Sequence, residues 1–125
     1  MKILVVEDEI LIQQSLKKML EKKGATVLTA SQGMDAIAII QSEDLDKIVC
    51  DLMLGDITGF DIIEESKSKY TKEQISKKFV IITAYSSEQV LSKARNYGCA
   101  VLNKPFEDMM QALNIMMKLD SDEVK

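Results

Sequence analysis

Polar residues that could do chemistry directly follow short apolar runs of this sequence. In chain order they are Glu7 with Asp8, then Asp51, Thr83 and Lys104. Carboxylates that are crowded together repel one another unless a cation lies among them, and the chain has no histidine to act as a ligand or base. An all-oxygen ligand set favours Mg²⁺ or Mn²⁺ over zinc. If these residues converge, they predict a site for a hard divalent cation.

The same residue types suit the transfer of a phosphoryl group. Bound Mg²⁺ typically keeps several waters while it contacts one or two carboxylates and a phosphate oxygen. A carboxylate can itself be the nucleophile, which gives an acyl phosphate. Lys104 as a point charge and Thr83 as a hydroxyl donor would then stabilise negative charge on the transferred group.

The elements that must position these residues follow from the apolar pattern. Five runs predict strands at Lys2–Val6, Thr26–Ala30, Lys47–Asp51, Phe79–Thr83 and Cys99–Leu102. Their hydrophobicity is continuous rather than alternating, which is typical of parallel strands covered on both faces. Because ligands bind at the carboxyl ends of such strands, we expect the polar residues that end them to meet in one pocket.

The segments between the strands have helical spacing. In the first of them, Ile12, Leu16, Met19 and Leu20 fall on one face, and Gly24 ends the helix. Ser86 with Gln89 predicts a capping box, and Pro105 is predicted to begin the last helix. Five strand–helix units predict an α/β fold: a doubly wound five-stranded parallel sheet flanked by five helices in a three-layer sandwich.

Composition limits the classes of function. The 125 residues are 46% hydrophobic, which suits one domain over 1–120, followed by an acidic tail at 121–125. Sixteen basic and twenty acidic residues give a net charge of −4, which disfavours binding to nucleic acid or an anionic membrane. The first apolar run is too short for a signal peptide, so a cytoplasmic location is expected. Cys50 and Cys99 are expected to be reduced, buried thiols.

Four sequence blocks resemble those of response-regulator receiver domains, which are flavodoxin-like. The blocks are Ile3–Glu9, Asp51–Leu54 with Gly59, Ile81–Ala84 and Asn103–Phe106, and the resemblance runs from Ile3 to about Leu119. One block alone would be weak, but four in the right order and spacing are specific.

The resemblance implies a role for each site residue. Asp51 would be the phospho-acceptor, Glu7 and Asp8 the acidic pair holding Mg²⁺, and Met53 a metal ligand through its backbone carbonyl. Thr83 would be the switch hydroxyl and Lys104 the phosphate-contacting lysine, joined to Pro105 by a peptide bond that is often cis in the family. Such a domain catalyses only its own phosphorylation and dephosphorylation.

The resemblance also implies the partners of a stand-alone response regulator. A sensor histidine kinase or a histidine phosphotransfer protein would donate the phosphoryl group. A downstream target, or a second copy in a homodimer, would read the signal on the fourth helix, fifth strand and fifth helix, roughly Ser86–Met117. With no DNA-binding domain attached in this sequence, direct contact with nucleic acid is not expected.

Two positions depart from the family pattern. Val101 stands where the family commonly has an aromatic residue that moves on phosphorylation, which puts the usual readout in doubt. Gly55 stands where proline is frequent, so the loop after the third strand is expected to be more mobile. Tyr85 lies two residues after Thr83, where it would cover the site against water.

Two other functions remain open at this point. A Mg²⁺-dependent phosphohydrolase could also use an aspartate nucleophile, but it usually needs a second acid–base group and a cap, whereas Leu52 and Met53 follow Asp51 and no cap-sized insertion is present. A pseudo-receiver would keep the fold and bind a partner without phosphate. Partner binding that does not respond to phosphorylation would identify the pseudo-receiver.

Overall fold

The computed structural model describes residues 1–84 and 87–118. Within them the strands are β1 (Lys2–Val6), β2 (Thr26–Ala30), β3 (Lys47–Asp51), β4 (Phe79–Thr83) and β5 (Ala100–Asn103). The helices are α1 (Ile10–Lys22), α2 (Gly33–Ser42), α3 (Gly59–Ser66), α4 (Lys72–Lys78), α5 (Glu88–Tyr97) and α6 (Met109–Met117). Four strands have the predicted bounds, and β5 begins and ends one residue later than predicted.

The five strands form one parallel sheet in the order β2-β1-β3-β4-β5. The chain winds outward in both directions from the neighbouring strands β1 and β3, so the topological switch point lies between them. This confirms the doubly wound parallel sheet. It also brings the carboxyl ends of β1 and β3 side by side.

Helices cover both faces of the sheet, and each face has its own apolar core. On one face, Leu16 and Leu20 of α1 pack with Leu113 of α6. The core of the other face includes Ile40 of α2 and Ile62 of α3, and α4 and α5 pack on the same side. Every residue of β3 is buried, which explains why its hydrophobicity is continuous.

The prediction of five helices is wrong, because the connection between β3 and β4 contains two helices, α3 and α4. Thr71 and Gln74 form a capping box that begins α4: the Gln74 N–H donates to Thr71 Oγ1 at 3.1 Å, and the Thr71 N–H donates to Gln74 Oε1 at 2.8 Å. Ile75 is the buried residue of this helix. Because Ile75 alone is buried, the sequence of α4 has no helical pattern of apolar residues. Only its capping box could have predicted the helix.

We expect Thr71→Ala to lower the free energy of unfolding by about 1 kcal/mol, because an N-terminal N–H of α4 loses its acceptor. Urea denaturation of the two variants Thr71→Ala and Thr71→Ser provides the measurement and the control, since serine keeps the hydroxyl. Equal stability of the two variants would show that the capping box does not hold α4.

The predicted start of the last helix at Pro105 is also wrong. The N-cap of α6 is Asp108, whose Oδ1 accepts from the Gln111 N–H at 3.0 Å. Phe106 therefore precedes the helix, although it still packs partly against the core on the α1 side. The Lys104-Pro105 peptide bond is cis, as the family resemblance implied.

Three sequence predictions concern residues outside the described ranges. They are the cap at Ser86, the cover at Tyr85 and the acidic tail at 121–125. The N-cap of α5 is Ser87, whose hydroxyl accepts from the Val90 N–H at 3.3 Å, so the predicted box with Gln89 does not begin that helix. In residues 1–84 and 87–118, no helix combines the length and apolarity needed to cross a membrane.

Candidate functional site

Three carboxylates gather at the carboxyl edge of the sheet, where the sequence predicted a pocket. Glu7 and Asp8 follow β1, and Asp51 is the last residue of β3. One carboxylate oxygen from each of them lies within 4.8 Å of the others. Glu7 is fully buried and Asp51 is 4% exposed, whereas Asp8 is exposed and opens the cluster to solvent.

Lys104 joins the two buried carboxylates. Its Nζ donates to Glu7 Oε1 at 2.8 Å and to Asp51 Oδ2 at 3.0 Å, and its side chain is only 9% exposed. These charge-assisted hydrogen bonds lie between buried side chains, where they are stronger than on the surface. Lys104 is thus the counter-ion that allows two carboxylates to be buried together.

The pKa values of this group reflect that arrangement. Burial raises the pKa of Glu7, and although the hydrogen bond from Lys104 opposes the rise, the nearby Asp51 carboxylate adds to it. Burial alone would lower the pKa of Lys104, but its bonds to Glu7 and Asp51 hold that pKa above its ordinary value. The lysine is therefore charged at neutral pH.

The two oxygens of Asp51 have different partners. Oδ2 accepts from Lys104, while Oδ1 accepts from the backbone N–H of Met53 at 3.2 Å. The Met53 side chain is half exposed and lies outside the cluster. The acceptor carboxylate implied by the resemblance is thus held from both sides.

Thr83 ends β4 and is fully buried. Its carbonyl accepts from the Lys104 N–H at 2.8 Å, so its backbone lies directly beside the lysine. The structure therefore brings the predicted site residues to one edge of the sheet, with Glu7, Asp51 and Lys104 in direct contact.

One buried polar residue of the site was missed by the sequence analysis. Gln13 of α1 is 4% exposed, and its Nε2 donates to the carbonyl of Glu7 at 2.9 Å and to Ser31 Oγ at 3.1 Å. It ties α1 and the loop after β2 to the end of β1. The only signal in the sequence was a polar residue next to the predicted apolar face of α1.

Gly59 begins α3 beside the acceptor, and its lack of a side chain is required there. A Cβ at this position would lie 2.9 Å from the Asp51 carbonyl oxygen and 3.2 Å from Leu52 Cα. Both are backbone atoms, so an added methyl group cannot be accommodated by rotating a side chain.

We expect Gly59→Ala to lower the free energy of unfolding by about 1–3 kcal/mol, because the backbone at Asp51 must shift. Gly55→Ala is a matched control in the loop that precedes α3, since a Cβ there would meet no atom within 4 Å. Urea denaturation of both variants measures the effect. A loss of the same size in the control would contradict the steric explanation.

The cysteines offer no alternative chemistry. Cys50 and Cys99 are free and buried, as predicted. Burial raises the pKa of Cys99 to about 11 and raises that of Cys50 further still. Both therefore stay protonated at neutral pH, which makes them poor nucleophiles and poor metal ligands.

The residues at the carboxyl edge fit a hard divalent cation. The donors are carboxylate oxygens, which Mg²⁺ prefers, and the exposed Asp8 gives access from solvent. Lys104 supplies one positive charge to three acidic groups, so negative charge remains in excess in the cluster. A cation would offset this excess.

Comparisons with known proteins agree with the fold described above. The family model for the response regulator receiver domain matches residues 3–115. The response regulator SaeR of Staphylococcus aureus (strain USA300) is 30% identical over 114 residues, which are 90% of this chain and 48% of SaeR. This chain thus spans about half the length of the curated relatives it matches.

Solved structures also resemble this chain over nearly its whole length. A CheY-like response regulator receiver domain protein from Methanospirillum hungatei JF-1 has a TM-score of 0.82 and 28% identity, covering 98% of this chain and 96% of that one. The chemotaxis protein CheY4 of Vibrio cholerae has a TM-score of 0.78 and 27% identity, covering 93% and 98%.

The doubly wound sheet with an acidic pocket at its carboxyl edge defines the class as an α/β domain of CheY-like fold. Within that class, the chain belongs to the response regulator receiver domain family of two-component signalling. The resemblance seen in the four sequence blocks is confirmed.

Proposed function

We propose that this domain accepts a phosphoryl group on Asp51 and works as a phosphorylation-dependent switch. The observation that carries the proposal is the position of the Asp51 carboxylate, which contacts the Lys104 ammonium and clusters with Glu7 and Asp8. The proposed nucleophile, a cationic group and the proposed ligands of a cation thus lie together at the carboxyl edge of the sheet, where such folds bind ligands.

The donor would be a phosphohistidine of a sensor histidine kinase or of a histidine phosphotransfer protein. A carboxylate oxygen of Asp51 forms a bond to phosphorus as the phosphorus–nitrogen bond to the imidazole breaks. The products are an acyl phosphate on Asp51 and a histidine whose ring nitrogen takes up a proton. Hydrolysis of the acyl phosphate by water restores Asp51. Each domain acts on itself, so it is not an enzyme with a separate substrate.

Glu7, Asp8, Asp51 and the backbone carbonyl of Met53 would hold Mg²⁺, and Mn²⁺ is expected to substitute for it. When bound, such an ion would supply positive charge that offsets the charge of the phosphoryl oxygens. Lys104 is already fixed by Glu7, so its ammonium can move its second bond from Asp51 Oδ2 to a phosphoryl oxygen. The Thr83 hydroxyl would donate to the same group.

The signal would leave the site through β4 and β5. Thr83 is paired in the sheet with Asn103, and its carbonyl binds the Lys104 N–H, so a shift at Thr83 reaches β5 directly. We infer that the readout surface is formed by α5, β5 and α6, and that it binds a downstream target or a second copy. Val101 on β5 is partly buried against the core on the α5 side.

We expect the domain to work in the cytoplasm, where a kinase would reach it, with 1–120 as the receiver unit.

The experiment that tests the function is incubation with acetyl phosphate and Mg²⁺, followed by intact mass measurement. A gain of one phosphoryl group that requires Mg²⁺ and is removed by hydroxylamine supports an acyl phosphate. A folded protein that gains nothing from acetyl phosphate or from a phosphohistidine donor contradicts the proposal and favours a pseudo-receiver. Continuous release of phosphate at many turnovers per chain would favour a phosphohydrolase.

A further inference from the structure

The segment 53–58, here called the acceptor loop, connects Asp51 to α3. An isolated antiparallel bridge between Met53 and Thr58 closes the loop at its base. Gly55 lies inside the loop at the position where the family often has proline. The loop therefore lacks the restriction that a proline ring would give, and something else must fix its conformation.

Asp56, near the tip of this loop, binds the start of α2. Its Oδ1 accepts from the Gly33 N–H at 2.9 Å, and its Oδ2 accepts from the Met34 N–H at 3.0 Å. These are N–H groups of the first turn, which have no acceptor within their own helix. The bonds from Met34 and Gly33 lower the pKa of Asp56, so it is ionised at neutral pH.

The next residue of the loop also packs closely on α2. A Cβ built on Gly33 would lie 2.3 Å from Cγ1 of Ile57, so the side chain of Ile57 occupies the space that a larger residue would need. The loop is therefore fixed to α2 in two ways: the Asp56 carboxylate accepts from two N–H groups of the helix, and Ile57 packs against Gly33. Both contacts lie within six residues of Asp51 in the sequence.

We propose that Asp56 is a positioning residue for phosphorylation: it holds the acceptor loop on α2 and so keeps the Met53 N–H directed at Asp51 Oδ1. This inference rests on the proposed function of Asp51. Met53 is the base of the loop, and its N–H lies 3.2 Å from Oδ1. If the loop pivots at Gly55, the Met53 N–H moves away from Oδ1. The Asp51 carboxylate is then held only at Oδ2, by Lys104.

The test compares phosphorylation rates with acetyl phosphate and Mg²⁺. We expect Asp56→Ala to slow phosphorylation roughly tenfold, as loss of a residue that orients a site typically does. Asp56→Asn should lie between the wild type and Asp56→Ala, because its amide oxygen can still accept from Gly33. Asp35→Ala is the matched control, since it removes an exposed carboxylate from the first turn of the same helix.

A second substitution separates positioning from a general loss of stability. Adding Gly55→Pro to Asp56→Ala should restore most of the rate, because proline limits the loop independently of α2. Gly55 does not have a positive φ, and a Cβ there meets no atom within 4 Å, so neither the sign of φ nor a clash at Cβ excludes proline. A rate that stays low in the double variant would overturn the proposal.

The amide signal of Met53 in ¹H–¹⁵N spectra gives a readout that does not need phosphorylation. We expect it to shift in Asp56→Ala and to return in the double variant with Gly55→Pro. An unchanged Met53 signal in Asp56→Ala overturns the proposed positioning role, whatever the rate. If the wild type takes no phosphoryl group, the proposed function fails, and the Met53 signal still decides whether Asp56 holds the loop.

Discussion

Asp51→Asn is expected to abolish phosphorylation and, in the absence of Mg²⁺, to raise the free energy of unfolding. Asparagine has no carboxylate to form an acyl phosphate, so the gain in mass should disappear. Asp51 is also one of three carboxylates within 4.8 Å of one another, and removing its charge relieves their repulsion. The asparagine oxygen can still accept from Lys104. We expect a gain in stability of about 1–2 kcal/mol.

Intact mass after treatment with acetyl phosphate and urea denaturation in a chelator together measure these two effects. Asp44→Asn is the matched control, because Asp44 is exposed and precedes β3 at the opposite edge of the sheet. It should be phosphorylated normally, with stability unchanged to within about 0.5 kcal/mol. A phosphoryl group on the Asp51 variant would mean that another residue is the acceptor. A loss of stability would mean that the contacts of Asp51 outweigh the repulsion.

The sheet could be predicted from the sequence because burial on both faces leaves a simple pattern. All five residues of β3 are buried, and its apolar run ends abruptly at Asp51, where the strand reaches the carboxyl edge of the sheet. The same is true of β1, which ends before Glu7 and Asp8. Residues that stop such runs lie at the edge where parallel strands end, and this is why the site could be located without knowing the strand order.

The contacts within the site could not be predicted in the same way. Lys104 binds Glu7 and Asp51, which are 97 and 53 residues away in the sequence. Their contact depends on the order of the strands and on the path of the chain after β5. The resemblance gave Lys104 a role toward phosphate, but only the structure shows that it also neutralises the buried acids.

Elements and loops held by polar contacts were also difficult to predict. The start of α4 depends on Thr71, and that of α6 on Asp108, rather than on apolar spacing or Pro105. Asp56 was also missed, because its partners belong to a helix 22 and 23 residues away. That Gly55 makes the acceptor loop more mobile stays a prediction.

Lys104→Met is expected to have the opposite effect on stability to Asp51→Asn. Methionine has similar bulk but no charge, so Glu7 and Asp51 would remain buried without their counter-ion. Removing one partner of a buried ion pair leaves an uncompensated charge, and we expect a loss of about 3 kcal/mol in the absence of Mg²⁺. Phosphorylation by acetyl phosphate should also slow by roughly a hundredfold, because the cation beside the transferred group is lost.

Urea denaturation in a chelator measures the loss, with Lys18→Met as the control because Lys18 is exposed on α1.

The double variant Lys104→Met with Asp51→Asn tests the explanation. If the lysine stabilises the fold by neutralising crowded carboxylates, then removing one carboxylate should recover part of the loss. The two effects should therefore not simply add. Mg²⁺ should also stabilise Lys104→Met more than the wild type, since the ion would meet an acidic cluster without its lysine. Equal stability of Lys104→Met and Lys18→Met would contradict the role of Lys104 as the counter-ion of the site.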